Sequence, residues 1–190
     1  MKLIALDDFY ALAELGESHQ DPEVARVIEL VSAGMETVMD RWLKKQAYTE
    51  SLQPNGGERM LRVKAYPVAS SPALTIVDYG ASLATSDYQL HLTDGRIFLK
   101  TRSWQSYGYP TVTITYTGGY PEVGVKEQLH VAVPDDLKFA CYLQSQYIWR
   151  NRKDLGLTSV SMGGANIALA PADWLPAVKD ILRRNTRLSV

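Results

Sequence analysis

Three histidines, one cysteine and a scatter of paired acids and glycines are the residues of this 190-residue chain that could do chemistry. His19, His91 and His130 could serve as general bases if one reached a nucleophile. They fall in an expected loop, an expected strand and a segment before an expected helix, and no nucleophile motif accompanies them. Ser161 stands in Ser159-Val160-Ser161-Met162-Gly163-Gly164, without the glycine two residues earlier that a nucleophile elbow requires. Cys141 is the only cysteine, so an internal disulfide and a Cys-based zinc site are excluded, and its helical setting points to a buried structural thiol. No His-x-x-x-His, Cys-x-x-Cys or calcium-loop spacing occurs, so no metal and no cofactor is expected. Asp135-Asp136 read better as helix-capping acids than as a catalytic pair. Gly56-Gly57 and Gly118-Gly119 read as turn glycines, since neither leads into the Lys-Ser/Thr of a phosphate loop. The chain is read as a non-enzyme.

The elements that would hold these residues fall into three stretches. Asp7 and Asp8 open a short helix through Phe9, Leu12 and Leu15 that Gly16 stops. A second helix starts with Asp21 as N-cap and Pro22 in its first turn. Val24, Val27, Ile28, Val31, Met35, Val38, Met39 and Trp42 recur at three- and four-residue steps, one apolar face of a helix running to about residue 47. At 1.5 Å per residue such a helix is about 39 Å long, with Gly34 a mild weak point. Its stripe needs a core or a neighbouring subunit to lie against, and Val24, Val27, Val31, Met35, Val38 and Trp42 are the candidate inter-subunit face.

From about residue 48 to 120 the period changes to that of short strands. Gln53-Pro54-Asn55-Gly56-Gly57 is a turn, Pro67 and Pro72 mark edges or strand starts, and Asp94-Gly95 marks a hairpin between Tyr88-Gln89-Leu90-His91-Leu92 and Ile97-Phe98-Leu99. Residues 111–117 alternate Val112, Ile114 and Tyr116 with threonines, a half-buried strand. Helix returns at Pro134-Asp135-Asp136 with Leu137, Ala140, Cys141, Gln144, Tyr147 and Ile148 on one face. Residues 158–169 are small and irregular, and a last helix begins near Pro176. The expected class is therefore α+β and mainly helical, a long N-terminal helix packed with C-terminal helices, with a small antiparallel β region inserted into one domain spanning 1–190. The aromatic run Trp104, Tyr107, Tyr109, Tyr116 and Tyr120 fits either an exposed anchor surface or a buried edge of the insert. Residues 183–190, with Arg183, Arg184, Arg187, Leu188 and Val190, read as a basic, apolar-tipped tail that either frays or orders on an acidic partner.

Lys and Arg total 20 against 21 Asp and Glu, a net charge of −1, without the basic excess that phosphate binding demands. The apolar start before Asp7 is too short for a signal peptide, and no stretch approaches the roughly 18 apolar residues of a membrane span. A soluble protein that stays where it is made is expected.

The order of these motifs carries a resemblance. Tyr66-Pro67-Val68, then Val112-Thr113-Ile114-Thr115-Tyr116-Thr117-Gly118-Gly119-Tyr120, then Val133-Pro134-Asp135-Asp136-Leu137-Lys138-Phe139-Ala140, and last Leu175-Pro176-Ala177-Val178-Lys179-Asp180-Ile181-Leu182 resemble the head–tail connector (adaptor) family of long-tailed bacteriophages and prophages. The resemblance covers nearly the whole chain, though the insert is long for the family. It implies a structural virion protein at the head–tail interface. Such subunits form a ring, typically of twelve, beneath the portal protein; the ring extends the DNA channel and gives a platform for stopper or tail-completion proteins. It also implies that the tail at 183–190 docks on the portal, and that DNA passes without sequence-specific binding. Another neck protein, a stopper or tail-completion subunit, and an unrecognised small hydrolase are the alternatives.

Overall fold

The computed structural model describes residues 1–13, 22–106, 108–122, 132–152, 159–162, 165–168 and 173–187. The chain divides into two compact units, one of Met1–Met39 with Val133–Thr186, the other of Asp40–Ala132 with Arg187–Val190.

The first unit holds helices α1 (Leu6–Leu12), α2 (Pro22–Met39), α3 (Asp135–Arg150) and α4 (Pro176–Asn185). Val24, Ile28, Val31, Met35 and Met39 are buried at the expected helical spacing of α2. They share a core with Leu137, Ala140 and Cys141 of α3 and with Val178, Ile181 and Leu182 of α4. Gly34 has a positive reason to be there: a Cβ at this position would lie 2.9 Å from Cζ2 of Trp174, so the indole occupies the notch that glycine leaves. Ser32 turns inward, donating from Oγ to the Ile28 carbonyl (2.7 Å) and accepting from the Leu3 N–H (3.2 Å). α3 begins after Pro134 with Asp135 and Asp136 in its first turn, and α4 begins at Pro176, both as the sequence signals require.

Two expectations fail here. α2 ends at Met39, 18 residues and about 27 Å, rather than near residue 47. Asp40 takes φ of 48°, a left-handed conformation that stops the helix, and Trp42 and Lys44 then pair in extended form with Ala65 and Tyr120. Residues 159–168, expected to be irregular, contain an antiparallel pair, β8 (Ser159–Met162) with β9 (Ala165–Ala168). The calls that fall on Asp21, His19, His130, Leu15 and Gly16 lie outside the described residues.

The second unit is a β domain with its own core, which overturns the mainly helical reading. Across the described residues the chain has four helices but nine strands. A four-stranded antiparallel sheet runs in the order β1 (Gln46–Leu52), β7 (Val112–Gly118), β3 (Thr75–Asp78), β4 (Ala81–Ser82). A three-stranded sheet runs β2 (Met60–Arg62), β6 (Arg96–Leu99), β5 (Tyr88–His91). Leu61, Tyr88, Ile97 and Leu99 from the small sheet and Ile76, Val112, Ile114 and Tyr116 from the large one form a single cluster around the fully buried Trp104. β7 shows the alternation read from its sequence, with Val112, Ile114, Tyr116 and Gly118 buried. The hairpin at Asp94-Gly95 joins β5 and β6, and Gly95 supplies φ of 66°. The turn at 53–57 joins no hairpin, because β1 pairs with β7 and β2 with β6. No helix among the described residues is long and apolar enough to cross a membrane.

Candidate assembly surfaces

Among the described residues, those that could do chemistry are separated and have structural partners. His91 ends β5 with its ring edge-on to Phe98, 5.3 Å between centroids. Cys141 is buried between Ser32 Oγ (3.6 Å) and Ser145 Oγ (3.9 Å). Burial pushes its thiol above the ordinary range, against the two hydroxyls, so it is a poor nucleophile. Asp136 accepts from the Leu137 N–H (2.8 Å) and the Asn185 amide (2.9 Å), and Asp135 pairs with Lys138 (2.9 Å); both acids serve the helix start. Among the described residues no group of three or more His, Cys, Asp or Glu side chains could hold a metal.

In the second unit the motif residues converge on one polar node. Arg41, 4% exposed, lies over the Tyr66 ring at 3.5 Å and donates to the Tyr66 carbonyl (3.0 Å) and the Tyr120 hydroxyl (3.4 Å). Arg62 approaches the same ring at 4.6 Å. Burial raises the Tyr66 hydroxyl pKa, and the two guanidinium groups oppose that rise. Next to the node, Tyr116 donates to Glu50 Oε1 and accepts from the Ala65 N–H (2.9 Å), while Glu50 Oε1 also accepts from the Lys64 N–H (2.8 Å). Burial first, then the Glu50 carboxyl, hold the Tyr116 hydroxyl protonated far above its usual range. The glycine pair after β7 has a backbone reason. A Cβ on Gly118 would collide with the Ala65 carbonyl oxygen, and one on Gly119, at φ of 99°, would sit 2.5 Å from that of Lys44. The Thr117-Gly118-Gly119-Tyr120 motif is therefore a crossing of three backbone segments. Of the aromatic run, Trp104, Tyr116 and Tyr120 are buried, Tyr109 is exposed, and Tyr107 lies outside the described residues.

The helix-face residues separate. Val24, Val31 and Met35 are buried inside the first unit, Val27 is half-buried and Val38 exposed. Trp42 is not on the helix; in the second unit its ring stacks on Tyr48 at 4.7 Å. The tail residues separate too. Arg183 and Arg184 are exposed on the last turn of α4, which continues to Asn185. Arg187 is tied down in the second unit, donating to the Arg62 carbonyl (2.9 Å) and pairing with Asp40 (3.1 Å) at 12% side-chain exposure. Leu188 and Val190 lie outside the described residues.

Sequence periodicity missed the outward apolar residues of the first unit, which sit off the buried stripes. Leu12 (60% exposed) and Phe139 (53%) line a cavity of about 430 Å³ with Ile4, Asp8, Asp135 and Tyr142. Leu30 and Val27 line a second of about 250 Å³ beside Trp174. Gln144 is buried on the face expected for it, but its role was not read from the sequence: its amide donates to the Asp173 carbonyl (3.3 Å) and accepts from the Leu175 N–H (3.0 Å), fixing the approach to α4. A polar residue on an otherwise apolar stripe was the available signal.

The fold is similar to a chain in the virion of a native gene transfer agent particle (TM-score 0.59, 18% identity, covering 99% of this chain and 91% of that one). It is similar to a chain in the neck of an empty gene transfer agent particle computed with C6 symmetry (0.57, 19%, 99% and 91%). A third similar chain is in the neck of a native particle computed with C12 symmetry (0.52, 20%, 95% and 89%). No curated protein sequence matches the chain. The model of the head completion proteins matches residues 2–185, which takes in both units, and by that match the chain belongs to the head completion protein family.

Proposed function

We propose that this protein is a structural subunit of the virion neck, a head–tail adaptor that forms a ring below the portal, extends the DNA channel and gives stopper or tail-completion proteins a platform. The observation that carries this is the family match across residues 2–185. The C6 and C12 symmetry of the necks whose chains share this fold supports a ring, twelve subunits being the number adopted here. A net charge of −1 suits a channel that DNA traverses without sequence-specific binding, since each phosphate contact formed would slow its passage. No bond-making step is assigned to the chain.

Of the residues expected to face neighbouring subunits, Val38 and Val27 remain available beside the exposed Leu30, while Val24, Val31 and Met35 serve the subunit's own core. The portal-docking role is assigned to the exposed Arg183 and Arg184 with Leu188 and Val190, while Arg187 is held by the Arg62 carbonyl and Asp40. Electron microscopy of the protein mixed with purified portal tests the reading: a ring of extra density on the portal is expected. A portal that stays bare at saturating protein overturns it. Deleting residues 188–190 together with Arg183→Gln and Arg184→Gln leaves a folded protein that no longer binds the portal; undiminished binding removes the tail from the mechanism.

A further inference from the structure

We propose that the cavity between α1 and α3 is a socket for the opposite end of α3 in a second copy of this chain, so that the ring is closed by head-to-tail contacts. This rests on the ring reading above. The socket is apolar at its floor and acidic at its rim. Leu12 and Phe139, each more than half exposed, line it with Ile4, Ala11 and Tyr142, and Asp8 and Asp135 are its carboxylates. Lys138 is the cation of the lining and is already paired with Asp135 at 2.9 Å. Exposed large apolar side chains gathered in one cavity call for a covering partner, and the rim calls for a cationic one.

The far end of α3 has that chemistry. Trp149 is half-buried, with the Arg152 guanidinium 3.9 Å over its ring and donating to the Trp149 carbonyl (2.8 Å), and Arg150 is exposed beside it. Tryptophan and arginine are the side chains that most often dominate protein interfaces. Arg183 and Arg184 are also exposed, but among the described residues of α4 their apolar neighbours Ile181 and Leu182 are buried. Phe139 and Arg150 are both exposed on α3 and eleven residues apart, about three turns and so on the same side of the helix, roughly 16 Å from one another. Each copy therefore carries both knob and socket on one rigid rod. Knob and socket on one side of one helix also permit a closed two-fold pair, each knob in the other's socket; where a copy instead seats its knob in one neighbour and receives the knob of another, the contact repeats into a ring.

The test is oxidative cross-linking of the full chain carrying Ala11→Cys and Asn151→Cys, which leave Leu12, Trp149 and Arg152 in place; the buried Cys141 stays silent. A ladder of dimer, trimer and higher species is expected. Reversing the knob (Arg150→Glu) or the socket (Asp8→Lys with Asp135→Lys) should cut it about tenfold, because like charges then meet. Mixing the two reversed proteins should restore it, since each knob again finds an opposite rim. Cross-linking no greater than that of a control pair, Tyr79→Cys with Leu92→Cys, overturns the contact. A product that stops at the dimer means two-fold pairing and also overturns it. Rings seen on the portal without this ladder sink the contact but keep the adaptor reading; a ladder with a bare portal does the reverse.

Discussion

Replacing Tyr116 by phenylalanine removes one oxygen from the interior of the β unit, and the structure fixes what that loss should do. The Tyr116 side chain is 2% exposed and Glu50 4%, so water cannot take over either bond. The hydroxyl donates to Glu50 Oε1 and accepts from the Ala65 N–H at 2.9 Å. The lost bond to Glu50 contributes about 1–2 kcal/mol, and the orphaned Ala65 N–H costs a further ~1–3 kcal/mol. A total of about 2–5 kcal/mol is a large part of the stability of a domain of this size, and corresponds to a fall in Tm of about 10 °C or more. Urea titration followed by the fluorescence of Trp42 and Trp104, both in this unit, measures it. Glu50→Ala and the double variant close a cycle, with a coupling of about 1–3 kcal/mol expected for groups in direct contact. A Tyr116→Phe cost under about 0.5 kcal/mol, or additive single effects, would refute the claim that this pair holds β1, β7 and the segment at residues 64–65 together.

Gly34→Ala should lower the melting temperature of the helical unit, because the 2.9 Å approach to Trp174 outweighs the ~1 kcal/mol that alanine gains within a helix; a rise in Tm would remove the notch from the argument. Gln144→Leu should destabilise by about 2 kcal/mol and speed amide exchange at Leu175, read by hydrogen exchange mass spectrometry, because two backbone partners lose their bonds. Folded Tyr66, Tyr88 and Tyr116 hold their protons above the ordinary tyrosine range, chiefly through burial. Their contribution is therefore fully present below pH ~10 and is lost as pH rises beyond it, where the unfolded tyrosines ionise first. Denaturation at pH 8 to 11 should show this decline, and Tyr88→Phe should flatten it; a flat wild-type profile would contradict it.

Local signals were enough to find most elements. Pro134-Asp135-Asp136 and Pro176 open α3 and α4 because a missing N–H and a negative charge are favourable only at a helix start. The alternation of Val112, Ile114 and Tyr116 survives as a strand because one face of β7 is buried. The family, too, was readable, since two of its motifs open α3 and α4 and the other two lie in the β unit, where Gly118 and Gly119 are dictated by backbones lying too close for a Cβ.

Long-range pairing decided the rest. Trp42 continues the three- and four-residue spacing of α2, and no periodicity reveals that Asp40 turns left-handed and sends Trp42 to pair with Ala65, 23 positions later. The weight of the β unit was underestimated for the same reason: two sheets share one core that gathers residues as distant in sequence as Leu61 and Tyr116. Sequence alone determined where helices could begin, which strand had a buried face and which family the order of motifs matched. Only the tertiary structure decided that Val24, Val31 and Met35 are enclosed in their own subunit while Leu12 and Phe139 face outward, because burial depends on what lies across from a side chain and not on its own type.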